Sequence, residues 1–196
     1  MSEPAAAATS IDGRVLRGER NRQAVVDAFL ALVQEGDVAP TAQAVAARAG
    51  LSARSVFHHF QDMESLLASA AEAHVRQYLP LVERLPRSGP FAQRLDAFVA
   101  QRSRLAEKVL PVYRAASRAE PVSELVMERM TWATQRLRKE IAEVFAPELA
   151  GANPDVIEAV DALCSIETWI RWRIRQQLSV ARSKRVLASG LTKLLT

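Results

Sequence analysis

Apolar positions recur along most of this chain at the three- and four-residue spacing of one helix face. From Glu19 onward, Val26, Phe29, Leu30 and Val33 mark a first helix, and Gly36-Asp37 ends it. Pro40-Thr41 opens a short second helix through Val45, Ala46 and Ala49, with Thr41 suited to its N-cap and Gly50 to its end. Ser52 caps a third, over about Ala53 to Phe60, and Asp62 caps the run MESLLASAAEAHVRQYL. Pro80, Pro86 and Pro90 mark a loop, after which a long helical segment over about 90–118 should be kinked or split by Pro111. Pro121 opens a helix carrying Val126, Met130, Leu137, Ile141 and Val144, closed by Pro147 and Gly151. Asn153-Pro154 starts one expected to reach about Gln177, and a last helix occupies about 180–195. No strand-period segment and no internal repeat occurs, so the pattern predicts an all-α chain of about nine helices.

Composition agrees, since alanine, leucine and arginine dominate and are the residues most cheaply placed in a helix. At 196 residues there is enough apolar content for one or two compact domains. No apolar run approaches a membrane span, and MSEPAAAATS lacks the basic and hydrophobic regions of a secretory signal. A soluble cytoplasmic protein is expected. Cys164 is the single cysteine, so neither an intrachain disulfide nor a cysteine zinc cage can form. The sequence pI of about 9.7 invites a nucleic-acid reading, yet the charge is unevenly placed. Residues 1–60 hold six arginines against six acids, whereas residues 171–196 hold seven bases and no acid. Net charge therefore does not locate a DNA surface, and local pattern must do so.

Residues 41–60 meet the local demands of a helix-turn-helix, in which one short helix enters the major groove while another braces it. Ala46 is small where the helices approach, Gly50 tolerates positive φ, and Val45, Ala49, Leu51, Val56 and Phe60 are spaced to pin the pair to the first helix. Arg54, Ser55, His58 and His59 form an outward polar face. The run TAQAVAARAGLSARSVFHHFQDMESLL resembles the DNA-binding segment of the TetR family of bacterial transcriptional regulators. Thr41, Val45-Ala46, Ala49-Gly50-Leu51-Ser52, the Val56–Phe60 block and Glu64 with Leu66-Leu67 carry the likeness, while residues 68–196 agree only in helix pattern.

Residues 1–18, alanine-rich and then polar with Gly13 and Gly18, read as a flexible arm. The resemblance implies a helix-turn-helix domain over 19–67 and a helical effector-binding and dimerisation domain over 68–196. It implies DNA contacts by Thr41, Gln43, Ser52, Ala53, Arg54, Ser55, Phe57, His58 and His59. Thr41 would offer its hydroxyl and amide to a phosphate, as helix N-termini do. Arg54 would take a bidentate guanine contact, and the histidines would touch the backbone. Two positions depart from the family pattern, Phe57 where tyrosine is common and Met63 where lysine is common. Each removes a phosphate contact and should flatten the salt dependence of binding. Arg14 and Arg17 of the arm, with Arg20 and Arg22 just after it, are expected to compensate along the backbone or in the minor groove.

No Ser/His/Asp arrangement, phosphate-cradling glycine loop or paired carboxylate supports catalysis, and neither a cofactor nor a metal is implied. His58 and His59 are adjacent and face different ways, which argues against a metal pair. Cys164 reads as a small core or interface residue. Val156, Val160, Leu163, Glu167, Ile170 and Ile174 form a stripe that Glu167 interrupts, either as a partner of an arginine such as Arg171 or as a polar anchor in a cavity. Family resemblance implies that the last two helices form a four-helix bundle with a second subunit, presenting two reading heads to a palindromic operator. The C-terminal bases would then be a solvated rim balanced by Glu158, Asp161 and Glu167. It also implies a small-molecule effector pocket, with Phe98, Arg102, Tyr113, Trp132 and Trp169 as candidates. The expected function is a homodimeric repressor, with no membrane association, that releases its operator when an effector binds. The competing reading is a ligand-binding or scaffold protein of the same fold without specific DNA binding.

Overall fold

The computed structural model describes residues 5–78, 84–119 and 123–196. The expected roles of Pro80 and Pro121, and the side chain of Arg14, lie outside them. Among the described residues there are ten α-helices and no strand: α1 (Ala5–Gln34), α2 (Ala42–Ala49), α3 (Ala53–His59), α4 (Met63–Tyr78), α5 (Phe91–Ala119), α6 (Glu124–Val144), α7 (Ala146–Leu149), α8 (Asp155–Cys164), α9 (Ile166–Ile170) and α10 (Val180–Leu195). No helix among these residues is long and apolar enough to cross a membrane.

Two elements differ from the sequence expectation, and a third narrows it. The segment expected as an arm is helical from Ala5, because its alanines and arginines favour helix strongly enough to carry α1 through Gly13 and Gly18. Of the two outcomes expected at Pro111, a split does not occur, since α5 runs unbroken across it. The segment expected as one helix to Gln177 is instead interrupted. Ser165 turns extended at ψ 155°, closing α8 and capping α9 by accepting a hydrogen bond from the Thr168 amide at 3.2 Å. Arg171–Arg175 then form a π-helical turn, and Gln177 adopts a left-handed φ of 54° before α10.

The chain folds into two compact units, Met1–Val75 with Pro111–Val126, and Arg76–Leu110 with Met127–Thr196. In the first, Val25, Val33, Val45, Val56, Phe60 and Leu66 are buried, joined by Val112, Ala115 and Ala116 from the last third of α5. In the second, α5, α6, α8, α9 and α10 enclose a core around Phe98, Ile141, Phe145, Trp169, Leu187 and Leu191. Phe98 and Phe145 meet edge to face at 5.1 Å. Here α10 approaches α8 so closely at Gly190 that an added Cβ would lie 2.7 Å from Leu163 Cδ2.

Arg94 is 3% exposed, ion-paired to Glu148 of α7 and donating to the Val144 carbonyl at 2.6 Å, which ties α5 to the end of α6. On α9, Trp169 Nε1 donates to Glu107 Oε1 at 2.7 Å, and Arg173 Nε donates to the same oxygen at 2.7 Å. Despite some burial, Arg173 and Trp169 hold the Glu107 carboxyl below its ordinary pKa.

Candidate nucleic-acid interface

The helix-turn-helix is fixed by local capping. Thr41 Oγ1 accepts from the Ala44 amide at 3.2 Å, and Ser52 Oγ accepts from the Ser55 amide at 3.1 Å. Between them Gly50 stands at φ 67°, its amide directed at Ala47 O while the Leu51 amide reaches Ala46 O. This paired closure is the Schellman arrangement, and it sends the chain sharply from α2 into α3. Asp62 and Ser65 cap α4 reciprocally, the Ser65 amide donating to Asp62 Oδ1 at 2.7 Å.

Val45, Val56 and Phe60 are fully buried as pins, and Ala46 is buried with them, while Ala49 and Leu51 are partly covered. The opposite face of α3 points outward. Arg54 and His58 are exposed, Phe57 is 52% exposed, and Ala53, Ser55 and His59 are half-covered. Thr41, Gln43 and Ser52 are exposed at the two helix starts. The sequence-predicted contact residues thus gather at one end of one unit.

A concavity of about 370 Å³ lies on this face, lined by Arg17, Gly18 and Asn21 of α1 together with Ser52, Arg54, Ser55, His58 and His59. Asn21 was not foreseen, and Arg17 was expected on a flexible arm rather than on a helix. Once α1 is seen to extend upstream, their spacing of four residues places both on one face.

Arg22 behaves differently from the DNA contact expected of it. Its Nη1 donates to the His59 carbonyl at 2.8 Å, its Nη2 to Ser69 Oγ at 3.2 Å, and its guanidinium stacks 4.2 Å from the Phe60 ring centroid. Arg22 therefore locks the C-terminal end of α3 to α1 and α4. Burial, followed by the charges of His58 and Arg22, lowers the His59 pKa from its ordinary value. The shift favours the neutral imidazole, which can hydrogen-bond a phosphate without adding charge. Arg48 is likewise engaged, making a forked pair with Glu35 just past the end of α1.

The candidate effector residues differ in burial. Phe98, Arg102 and Trp169 are buried in the second unit. Tyr113 lies on the part of α5 that belongs to the first unit, and Trp132 is 50% exposed on α6. Glu167 is exposed, because the break at Ser165 rotates α9 out of the register of α8. It is therefore no anchor in a cavity. Glu158 and Asp161 do not balance the C-terminal bases but face Arg138 of α6, at 2.5 and 3.7 Å. Among the described residues no His/Cys/Asp/Glu cluster is arranged to hold a metal.

An all-helical chain with a capped helix-turn-helix has the architecture of the helical DNA-binding regulators, and the comparisons point the same way. Residues 25–70 match the model of the bacterial regulatory proteins of the tetR family. Over this N-terminal module the chain is similar to that family. The fold is shared with a transcriptional regulator from Rhodococcus sp. Rha1, at 22% identity and a TM-score of 0.66 over 91% of this chain and 95% of that one. It is shared equally with the multidrug binding protein EbrR complexed with imidazole, at 18% identity and a TM-score of 0.66 over 91% and 90%. None of the curated protein sequences matches the chain.

Proposed function

We propose that this protein is a homodimeric repressor that binds a palindromic operator through α3 and leaves it when a small molecule occupies the second unit. The observation that carries the reading is the outward face of α3, where Arg54 and His58 stand beside Arg17 and Asn21 in one basic concavity and Phe57 is exposed. Arg54 is free to enter the major groove and read guanine. Thr41, Gln43, Ser52, Ala53, Ser55 and His59 frame it at helix N-termini and on the α3 face, positions suited to phosphates. On this reading residues 19–67 are the DNA-binding domain and 68–196 serve effector binding and dimerisation.

Dimerisation through the α8–α9 segment and α10 is supported by Val156, Leu163, Val186 and Leu194, which remain only partly covered there, and by exposed Ile174. Effector binding among Phe98, Arg102 and Trp169 is supported by their burial in the second unit, and EbrR, of the same fold, is a multidrug binding protein. The test is a mobility-shift titration with DNA from upstream of the chain's own gene against random duplex at moderate salt. Discrimination of at least about a thousandfold is expected of a specific regulator. Equal affinity for the two duplexes would instead leave a ligand-binding protein of this fold, the outcome that Phe57 and Met63 foreshadow.

A further inference from the structure

The guanidinium of Arg102 lies inside the second unit, 6% exposed, with its carbon 5.0 Å from the Phe98 ring centroid. Arginine does not release its proton at any ordinary pH, so this is a permanent charge among apolar side chains. Such a charge is normally met by a hydrogen-bonded anion. Among the described residues Arg102 has none. Its Nε and Nη2 are both buried and neither meets an acceptor.

These two atoms are not an arbitrary pair. Nε–H and the neighbouring Nη2–H point the same way from one edge of the guanidinium plane, and their separation matches the two oxygens of a carboxylate. The groups nearest in charge do not fill the place. Glu140 accepts instead from Gln101 Nε2 at 3.2 Å, and Asp161 faces Arg138. Cys164 contributes no anion either, because burial pushes its thiol pKa up to about 12. Phe98 and Cys164 make the surroundings apolar.

We propose that Arg102 is the anchor for a carboxylate-bearing effector, an organic acid with an apolar body held side-on by Nε and Nη2. This deepens the effector-binding reading above and rests on it. A second copy of this chain is a poorer occupant, since its side chains would have to penetrate the core to reach a group so deeply covered.

The test is thermal unfolding of the full chain with benzoate, phenylacetate, hexanoate and octanoate, each beside its neutral amide. At concentrations well above Kd, at least one carboxylate should raise the wild-type Tm by about 5 °C while its amide does not. Arg102→Met should unfold at or above the wild-type temperature without ligand and lose the carboxylate response. Arg102→Lys keeps the charge without the fork and should bind at least about tenfold more weakly. The proposal is overturned if amides or sodium chloride at matched ionic strength stabilise as well as the carboxylates. It is equally overturned if Arg102→Met loses several degrees without ligand, because the guanidinium would then already be satisfied. The readout needs no DNA. A chain that answers carboxylates but ignores its upstream DNA keeps this inference and loses the repressor reading, and the reverse outcome does the opposite.

Discussion

Gly50 sets the geometry of the helix-turn-helix, and Arg54, four residues on, is the residue proposed to read DNA. Gly50 stands at φ 67° with open space where a Cβ would lie, so Gly50→Ala meets no neighbour and is penalised by its backbone alone. Loss of about 1–2 kcal/mol is expected in urea unfolding. Arg54→Ala should leave stability nearly unchanged, since Arg54 is exposed. It should lose about 1–3 kcal/mol of discrimination at one operator position, measured by mobility shift on single-base operator variants. Both residues were legible in the sequence, because a turn that requires positive φ and an outward arginine after an N-cap are local features. The role of Arg22 was not. Its charge suggested DNA, and only the fold showed the His59 carbonyl and the Phe60 ring within its reach.

Among the elements, the join of α5 to α6 and α7 depends on the Arg94–Glu148 pair. Glu148→Ala leaves Arg94 charged and buried, and about 3 kcal/mol of stability should be lost at pH 7. The hydrogen bond from Arg94 lowers the Glu148 pKa below its ordinary 4.5. The carboxylate's contribution is therefore complete above that value and disappears as pH falls through the lowered one. The gap between wild type and Glu148→Ala should accordingly be widest at neutral pH and narrow in acid, as a series of urea melts would show. Helix existence was readable from apolar spacing beyond residue 18, but the ends within the Val156–Ile174 stretch were not. The stripe from Val156 to Ile174 continues on paper across Ser165, yet the chain breaks there. Ser165 and Thr168 satisfy backbone groups with their hydroxyls, an option that periodicity does not register.

At the scale of the whole molecule, affinity for DNA should depend unusually little on salt. Phe57 is exposed on α3 without a hydroxyl, and Met63 begins α4 without a charge. The double variant Phe57→Tyr, Met63→Lys should bind all duplexes more tightly and steepen the slope of log K against log salt by about one, from the lysine contact. An unchanged slope would show that α4 begins away from the phosphates. Taken alone, the sequence determined the helical class, the helix-turn-helix and its outward residues. These follow from spacing, caps and a glycine, all of which act within about a dozen neighbouring positions. Only the tertiary structure decided that α1 brings Arg17 and Asn21 to α3, that Phe98 and Trp169 are buried while Trp132 is exposed, and that Arg102 is buried with an open fork. Those outcomes depend on which distant helices pack together, and a one-dimensional pattern does not encode that.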